Sequence, residues 1–178
     1  MTIVSWVQPN FQQGPKEFNA YYLPYSAGVI WSYALTDPWI KENFECTDMV
    51  WRRDAVEPLA EKLAKNDVVA FSTYVWNHQY NYTLARRIKE INPAVFIMFG
   101  GPEPAITDPD LFRQEPYMDL VICYEGEITY RNVMRAFHTR HFDDIPGLLI
   151  NKNGDVLNTG DAKRIEKLED IPSPYLTG

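Results

Sequence analysis

Only two cysteines, Cys46 and Cys123, occur among the 178 residues, and they form neither a CxxC nor a CxxxCxxC spacing. An iron–sulfur cluster takes about four thiolates, so this chain supplies no such cluster. Two isolated thiols predict reduced cysteines in a cytoplasmic protein rather than a disulfide framework. Histidine is equally sparse: His78, His138 and His141 make no HExxH pair, no His/Cys/Asp cluster and no nucleophile–base pair. No protein metal centre and no catalytic group is therefore expected. A run of about 18 apolar residues is missing, which excludes a transmembrane helix. The N-terminus has no basic n-region and no small-residue cleavage site, so it is not expected to act as a signal peptide. Basic residues are outnumbered, 17 against 24 acidic ones, for a net charge of −7. Phosphate backbones call for a basic face, so neither a nucleic acid nor a membrane is an expected partner. Neither GxGxxG nor the GxxxxGK phosphate loop is present, which argues against dinucleotide and NTPase sites.

What is present is the composition of one globular domain, 46% hydrophobic and 23% charged. Aromatics reach 14%, so in a chain this small some rings must lie near the surface, facing a large flat ligand or a partner. Ile3–Val7 is a short apolar run and predicts a buried strand. Leu23, Ala27, Ile30, Trp31 and Ala34 fall at helical spacing, with Pro24 in the first turn. Phe44–Trp51 reads as a second strand. Asp54 is the expected cap of a helix carrying Val56, Leu59, Ala60, Leu63 and Ala64. Asp67–Ser72, Ala94–Phe99 and Asp119–Tyr124 are continuous apolar strands, as expected when both faces are covered. Helices are expected over 77–91, 107–113 and 126–137.

This alternation predicts a doubly wound α/β fold, Rossmann-like or flavodoxin-like, with a five-stranded parallel sheet in the order 2-1-3-4-5. After His141 the pattern changes. Gly147–Asn151 and Val156–Leu157 flank Asn153-Gly154, a hairpin signature. The tail from Ile165 is charged, then Pro-rich, and reads as a connector toward a further domain. The expected division is 1–141 for the α/β domain and 142–178 for hairpin and linker.

In an open parallel sheet, ligands bind beyond the C-terminal strand ends at the switch point. Those ends are Gln8-Pro9-Asn10, Ser72-Thr73-Tyr74 and Gly100-Gly101-Pro102. The two glycines permit positive φ and close approach to a ligand, or simply make a tight turn. Ser72 and Thr73 offer hydroxyls to a ligand, or satisfy nearby backbone groups. Glu125-Gly126 opens the last helix, where acidic residues suit the helix dipole. Tyr74, Trp76, Tyr80 and Tyr82 crowd one loop and helix start, some as core and others as cleft walls.

Phe71–Asn77, Ala85–Lys89, Phe99–Glu103 and Asp119–Glu127, in that order, resemble the N-terminal cobalamin-binding domain of cobalamin-dependent radical S-adenosylmethionine (SAM) proteins. The resemblance runs on through Ile145–Leu148, the Asn153-Gly154 hairpin and Leu168–Tyr175. It implies a corrinoid on the C-terminal edge of the sheet, its nucleotide tail between the first and third strands. By that resemblance Ser72, Thr73 and Tyr74 contact the tail, Gly100, Gly101 and Pro102 leave room for it, and Glu125 and Gly126 border the pocket. Gln8, Pro9 and Asn10 begin a loop under the corrin. Methionine synthase-type domains carry DxHxxG there, with a histidine on cobalt. Gln8–Gly14 has none, so cobalamin is expected without a protein histidine ligand. The iron–sulfur cluster and SAM belong to a downstream radical SAM domain, in cis or in trans, so no catalysis is expected of the chain alone. The alternative is a degenerate domain that binds no cofactor and serves as a docking or substrate-guiding module. A flavodoxin-like FMN protein is disfavoured, since the first loop lacks a phosphate cradle.

Overall fold

Apolar runs too short for helices become strands, and the longer periodic segments between them return as covering helices. The computed structural model describes residues 1–18 and 20–176; the connector's last two residues lie outside the described residues. In chain order come β1 (Thr2–Val7), a two-residue ribbon of β2 (Gln12–Gln13) and β3 (Ala20–Tyr21), α1 (Tyr25–Ala34), α2 (Pro38–Asn43), β4 (Phe44–Val50) and α3 (Val56–Leu63). Then follow β5 (Val68–Ser72), α4 (His78–Ile91), β6 (Phe96–Gly100), α5 (Leu111–Gln114), β7 (Leu120–Ile122), α6 (Glu127–Ala136), β8 (Leu148–Lys152) and β9 (Asp155–Asn158).

The main sheet has the order β4-β1-β5-β6-β7-β8-β9. Its first five strands are parallel and reproduce the expected 2-1-3-4-5 winding. The strand count differs from expectation: β8 and β9 join the same sheet antiparallel, making seven strands. The physical reason is the open edge of β7, only three residues long, whose unpaired backbone groups β8 satisfies. Leu148, Leu149 and Ile150 are buried as a result.

Alternation along the strands sorts side chains to two layers. Val69, Phe71, Ile97, Phe99 and Val121 pack with Leu59, Leu63, Leu84 and Ile88 of α3 and α4. Trp6, Ala70, Met98, Leu120 and Ile122 pack with Ala27, Ala34, Tyr130, Val133 and Met134 of α1 and α6. Two aspartates tie the strand starts together. Asp67 Oδ2 accepts from Ile3 N at 2.7 Å and Asp119 Oδ2 from Ile97 N at 2.6 Å. Burial pushes the Asp119 carboxyl up, while Lys89, 2.8 Å away, opposes that.

The connector returns across α1. Tyr175 stacks on Tyr25 with centroids 5.9 Å apart, and a Cβ at Gly28 would come within 3.1 Å of Pro174 Cβ. Among the described residues no helix is long and apolar enough to cross a membrane.

Local starts differ in places. Asp54 does not cap α3, which begins after Ala55 with no side-chain cap; its carbonyl instead accepts from the Tyr80 hydroxyl at 2.8 Å. Thr107 and Pro109 sit in turns, so α5 starts only at Leu111. The sequence reading passes over α2, a six-residue helix fused to β4. Asp37 caps it, accepting from Trp39 N at 3.0 Å, and binds the Arg135 guanidinium of α6.

That ion pair holds the Asp37 carboxyl below its ordinary value of 3.8, with the Trp39 amide helping and desolvation opposing. A lowered folded pKa means stabilisation fully present above the unfolded value and lost as pH falls through the folded one. Asp37→Ala is expected to cost about 1 kcal/mol in urea unfolding at pH 7. The gap to wild type should narrow as pH falls below 3.8; a gap that widens in acid contradicts this assignment.

Candidate functional site

The C-terminal ends of β5 and β6 carry small residues on the face that α1 and α6 cover. Ala70 and Ser72 alternate inward on β5, as Met98 and Gly100 do on β6. Where the helices diverge from this thin edge, a slot of about 240 Å³ remains. Trp6, Ala70, Met98 and Ile122 contribute its sheet wall, Val29 and Ile30 its helix wall, and Ser26, Ser72, Tyr74, Glu125 and Glu127 its polar groups. Two glycines keep it open. A Cβ at Gly126 would lie 3.1 Å from Ile30 Cδ1 and 3.6 Å from Ile122 Cγ2, and one at Gly100 would meet Ile122 at 3.7 Å.

Gly101 serves the fold differently. Its φ is +95°, and a Cβ there would fall 2.4 Å from Thr73 O. Only glycine lets the ends of β5 and β6 approach this closely, and Thr73 N donates to Gly100 O at 2.8 Å.

Polar groups gather at the mouth. The Ser26 and Tyr74 hydroxyls meet at 2.6 Å, bridging α1 to the loop after β5. The Ser72 amide is tied into the sheet, and its carbonyl accepts from Asn77 Nδ2 at 3.2 Å. Beside the mouth lies an aromatic shelf. Tyr74 and Trp76 stack with centroids 4.6 Å apart and planes 4° apart. Phe11 meets Trp76 edge-on at 5.7 Å and Tyr22 at 5.0 Å. Phe11, Tyr22, Leu23, Tyr25 and Trp76 all remain exposed, a concentration of apolar surface that a monomer rarely leaves bare without a use.

Of the residues singled out in the sequence, Ser72, Tyr74, Gly100, Gly101, Glu125 and Gly126 line this slot together. Gln8, Pro9, Asn10, Thr73 and Pro102 do not. Gln8 Oε1 accepts from Ala27 N at 2.9 Å and so anchors the start of α1. Pro9 O accepts from Asn77 Nδ2 at 3.1 Å. Asn10 Nδ2 donates to Tyr22 O and Leu23 O, both at 3.0 Å, while its Oδ1 accepts from Trp76 Nε1 at 3.3 Å. This loop therefore builds the shelf. Thr73 is fully buried, with its hydroxyl accepting from Asn81 Nδ2 at 3.0 Å. His78 turns to Val75 O at 3.0 Å and stays outside the slot.

Sequence reasoning missed Trp6, Tyr25, Ser26 and Tyr124, which also line it. Trp6 was legible as an inward residue just before the end of β1. The inner face of α1 was not, because helical spacing alone does not say which strand ends it meets.

The site has few chemically reactive groups. Burial pushes the Cys46 thiol up to about 11 and raises Cys123 as well, so neither is a nucleophile near neutral pH. Tyr80 and Tyr82 are pushed up to about 12, chiefly by burial. Among the described residues no cluster of three or more His, Cys, Asp or Glu could hold a metal ion. An apolar slot with a polar mouth and an adjoining flat shelf is the geometry of a small-molecule binding site.

Comparison with known proteins gives this geometry its context. The B12 binding domain model matches residues 40–134. The cobalamin-dependent radical SAM methyltransferase TokK of Streptomyces tokunonensis is 31% identical over 159 residues, 88% of this chain and 23% of that protein. A 2-(S-pantetheinyl)-carbapenam-3-carboxylate methyltransferase of Streptantibioticus cattleyicolor is 31% identical with the same coverage. The chain thus spans under a quarter of the length of these curated relatives. The cobalamin-dependent SAM radical enzyme OxsB, solved with aqua-cobalamin and SAM bound, superposes with a TM-score of 0.74 at 18% identity, over 99% of this chain and 24% of that one. That likeness speaks for the fold alone. The family match covers the ends of β5, β6 and β7 beside the slot, and the chain belongs to the B12 binding domain family.

Proposed function

We propose that this domain holds a cobalamin, with the nucleotide tail in the slot and the corrin over the aromatic shelf, and presents it to a radical SAM domain. The observation that carries the reading is the slot itself, held open by Gly100 and Gly126 at the C-terminal edge of a family-matched sheet. The residues present fit the group. Apolar walls suit a heteroaromatic base, and the Ser26, Ser72 and Tyr74 hydroxyls suit the ribose and phosphate oxygens of a tail. Exposed rings suit a large flat macrocycle. A degenerate domain would fill such a slot with its own side chains, which this one does not.

In this reading Gln8 fixes α1 as the outer wall, and Asn10 fixes the shelf through Trp76. Among the described residues no histidine lines the slot, and the Gln8–Gly14 loop holds none, so a bound cobalamin would be held without a histidine from either. Bound cobalamin supplies methyl-carrying chemistry; the chain's own part is to bind it, orient it and keep water from its tail. We read residues 1–141 as the cofactor domain and 142–178 as hairpin and connector toward the radical SAM domain, which brings the iron–sulfur cluster and SAM. Two free thiols favour a reducing, cytoplasmic setting.

Purified protein mixed with hydroxocobalamin is expected to keep a corrin absorbance after desalting. Colour lost entirely at tens of micromolar protein refutes the cofactor assignment. Gly100→Leu puts a side chain into the slot where the backbone tolerates one, and is expected to weaken binding at least about tenfold, roughly 1.4 kcal/mol. Its melting temperature should stay within about 4 °C of wild type. Undiminished affinity in that variant would place the tail elsewhere.

A further inference from the structure

Among the described residues, three other than glycine hold positive φ: Tyr124 at 59°, Arg140 at 57° and Asn153 at 57°. L-residues pay a steric cost there, and a bulky side chain in that region calls for an explanation. Two of the three are explained by the fold. Asn153 and Gly154 form the turn between β8 and β9, which demands that conformation. Arg140 lays its guanidinium over Phe137 at 3.8 Å and Phe96 at 4.4 Å, so its contacts offset the backbone cost.

Tyr124 has no such return. Its side chain is 68% exposed and makes no hydrogen bond or ring contact with the described residues. Glycine or asparagine would make the same turn with less strain. Yet the ring stands where β7 ends, at the mouth of the slot. Two further cavities, of about 460 and 540 Å³, also meet at it. Because β6 lies between β5 and β7, Tyr124 stands across the bare Gly100–Gly101 edge from the Tyr74–Trp76 stack. A strained, exposed, unpartnered ring beside a binding slot is the pattern expected of a group positioned for a ligand rather than for the fold.

We propose that Tyr124 is a ligand-binding residue of this site, its ring closing on the planar ligand where the ligand leaves the slot, on the side away from Tyr74. This rests on the corrinoid reading above. The residue is held in its strained turn so that the ring points outward before anything binds, and stacking on a flat ring then gives it the partner that the fold withholds.

The test compares wild type, Tyr124→Asn and Tyr124→Phe for hydroxocobalamin affinity, by absorbance titration, and for ligand-free melting temperature. Asparagine keeps the left-handed turn and removes the ring. Its affinity is expected to fall about tenfold, the scale of one aromatic stacking contact, with the ligand-free melting temperature equal to or above wild type. Phenylalanine should bind within about twofold of wild type. Unchanged affinity in Tyr124→Asn overturns the proposal, as does a fall of more than about 4 °C in its ligand-free melting temperature, which would mark a structural role. If wild type itself fails to bind, the corrinoid reading falls and takes this inference with it. If wild type binds and Tyr124→Asn binds equally well, only the role of Tyr124 is lost.

Discussion

Everything at the site follows from smallness on one face of two strand ends. The two-residue period of a strand puts Ala70 with Ser72, and Met98 with Gly100, on the side facing α1 and α6. The opposite side carries Phe71 and Phe99, stacked at 4.7 Å and fully packed. One face of the same two strands is thus a filled core and the other a slot. The sheet's alternation lets a single edge be rigid behind and open in front.

That rigidity is built away from the mouth. Asp67 and Asp119 fix the opposite end of the sheet by accepting from the second amides of neighbouring strands. The β8–β9 hairpin closes the β7 edge. Gly101 brings the ends of β5 and β6 together. The outer wall, α1, is gripped twice, by Gln8 at its first turn and by Pro174 and Tyr175 along its outer side. Tyr25 belongs both to the slot and to the docking of the connector, so the chain leaving the domain touches the wall of its site.

Much of this was legible in the sequence because it depends on local pattern. Continuous apolar runs bounded by turns give buried parallel strands, and the winding order followed from their alternation with helices. Ser72 and Gly100, which line the slot, were singled out because ligands favour the C-terminal strand ends. What was not legible depends on partners distant in sequence. The hairpin was visible, but its attachment to β7 was not, since no residue in it announces which edge it meets. Asp54 looked like a helix cap and is not one: α3 begins one residue later, after Ala55, and the Asp54 carbonyl is held by Tyr80 of another helix. Thr73 looked like a ligand contact and Gly101 like room for a ligand; that the two also lie against each other, a Cβ at Gly101 falling 2.4 Å from Thr73 O, was not visible in the sequence. Tyr124 was read as the last residue of a strand; only its backbone conformation sets it apart.

The central claim is that the slot receives the tail of a corrinoid, and the most direct measurement compares two corrinoids that differ only there. Equilibrium dialysis of hydroxocobalamin and of cobinamide, which lacks the nucleotide tail, against the same protein isolates that contribution. The account predicts that hydroxocobalamin binds at least about tenfold more tightly, roughly 1.4 kcal/mol. Equal affinities, or tighter binding of cobinamide, would contradict it.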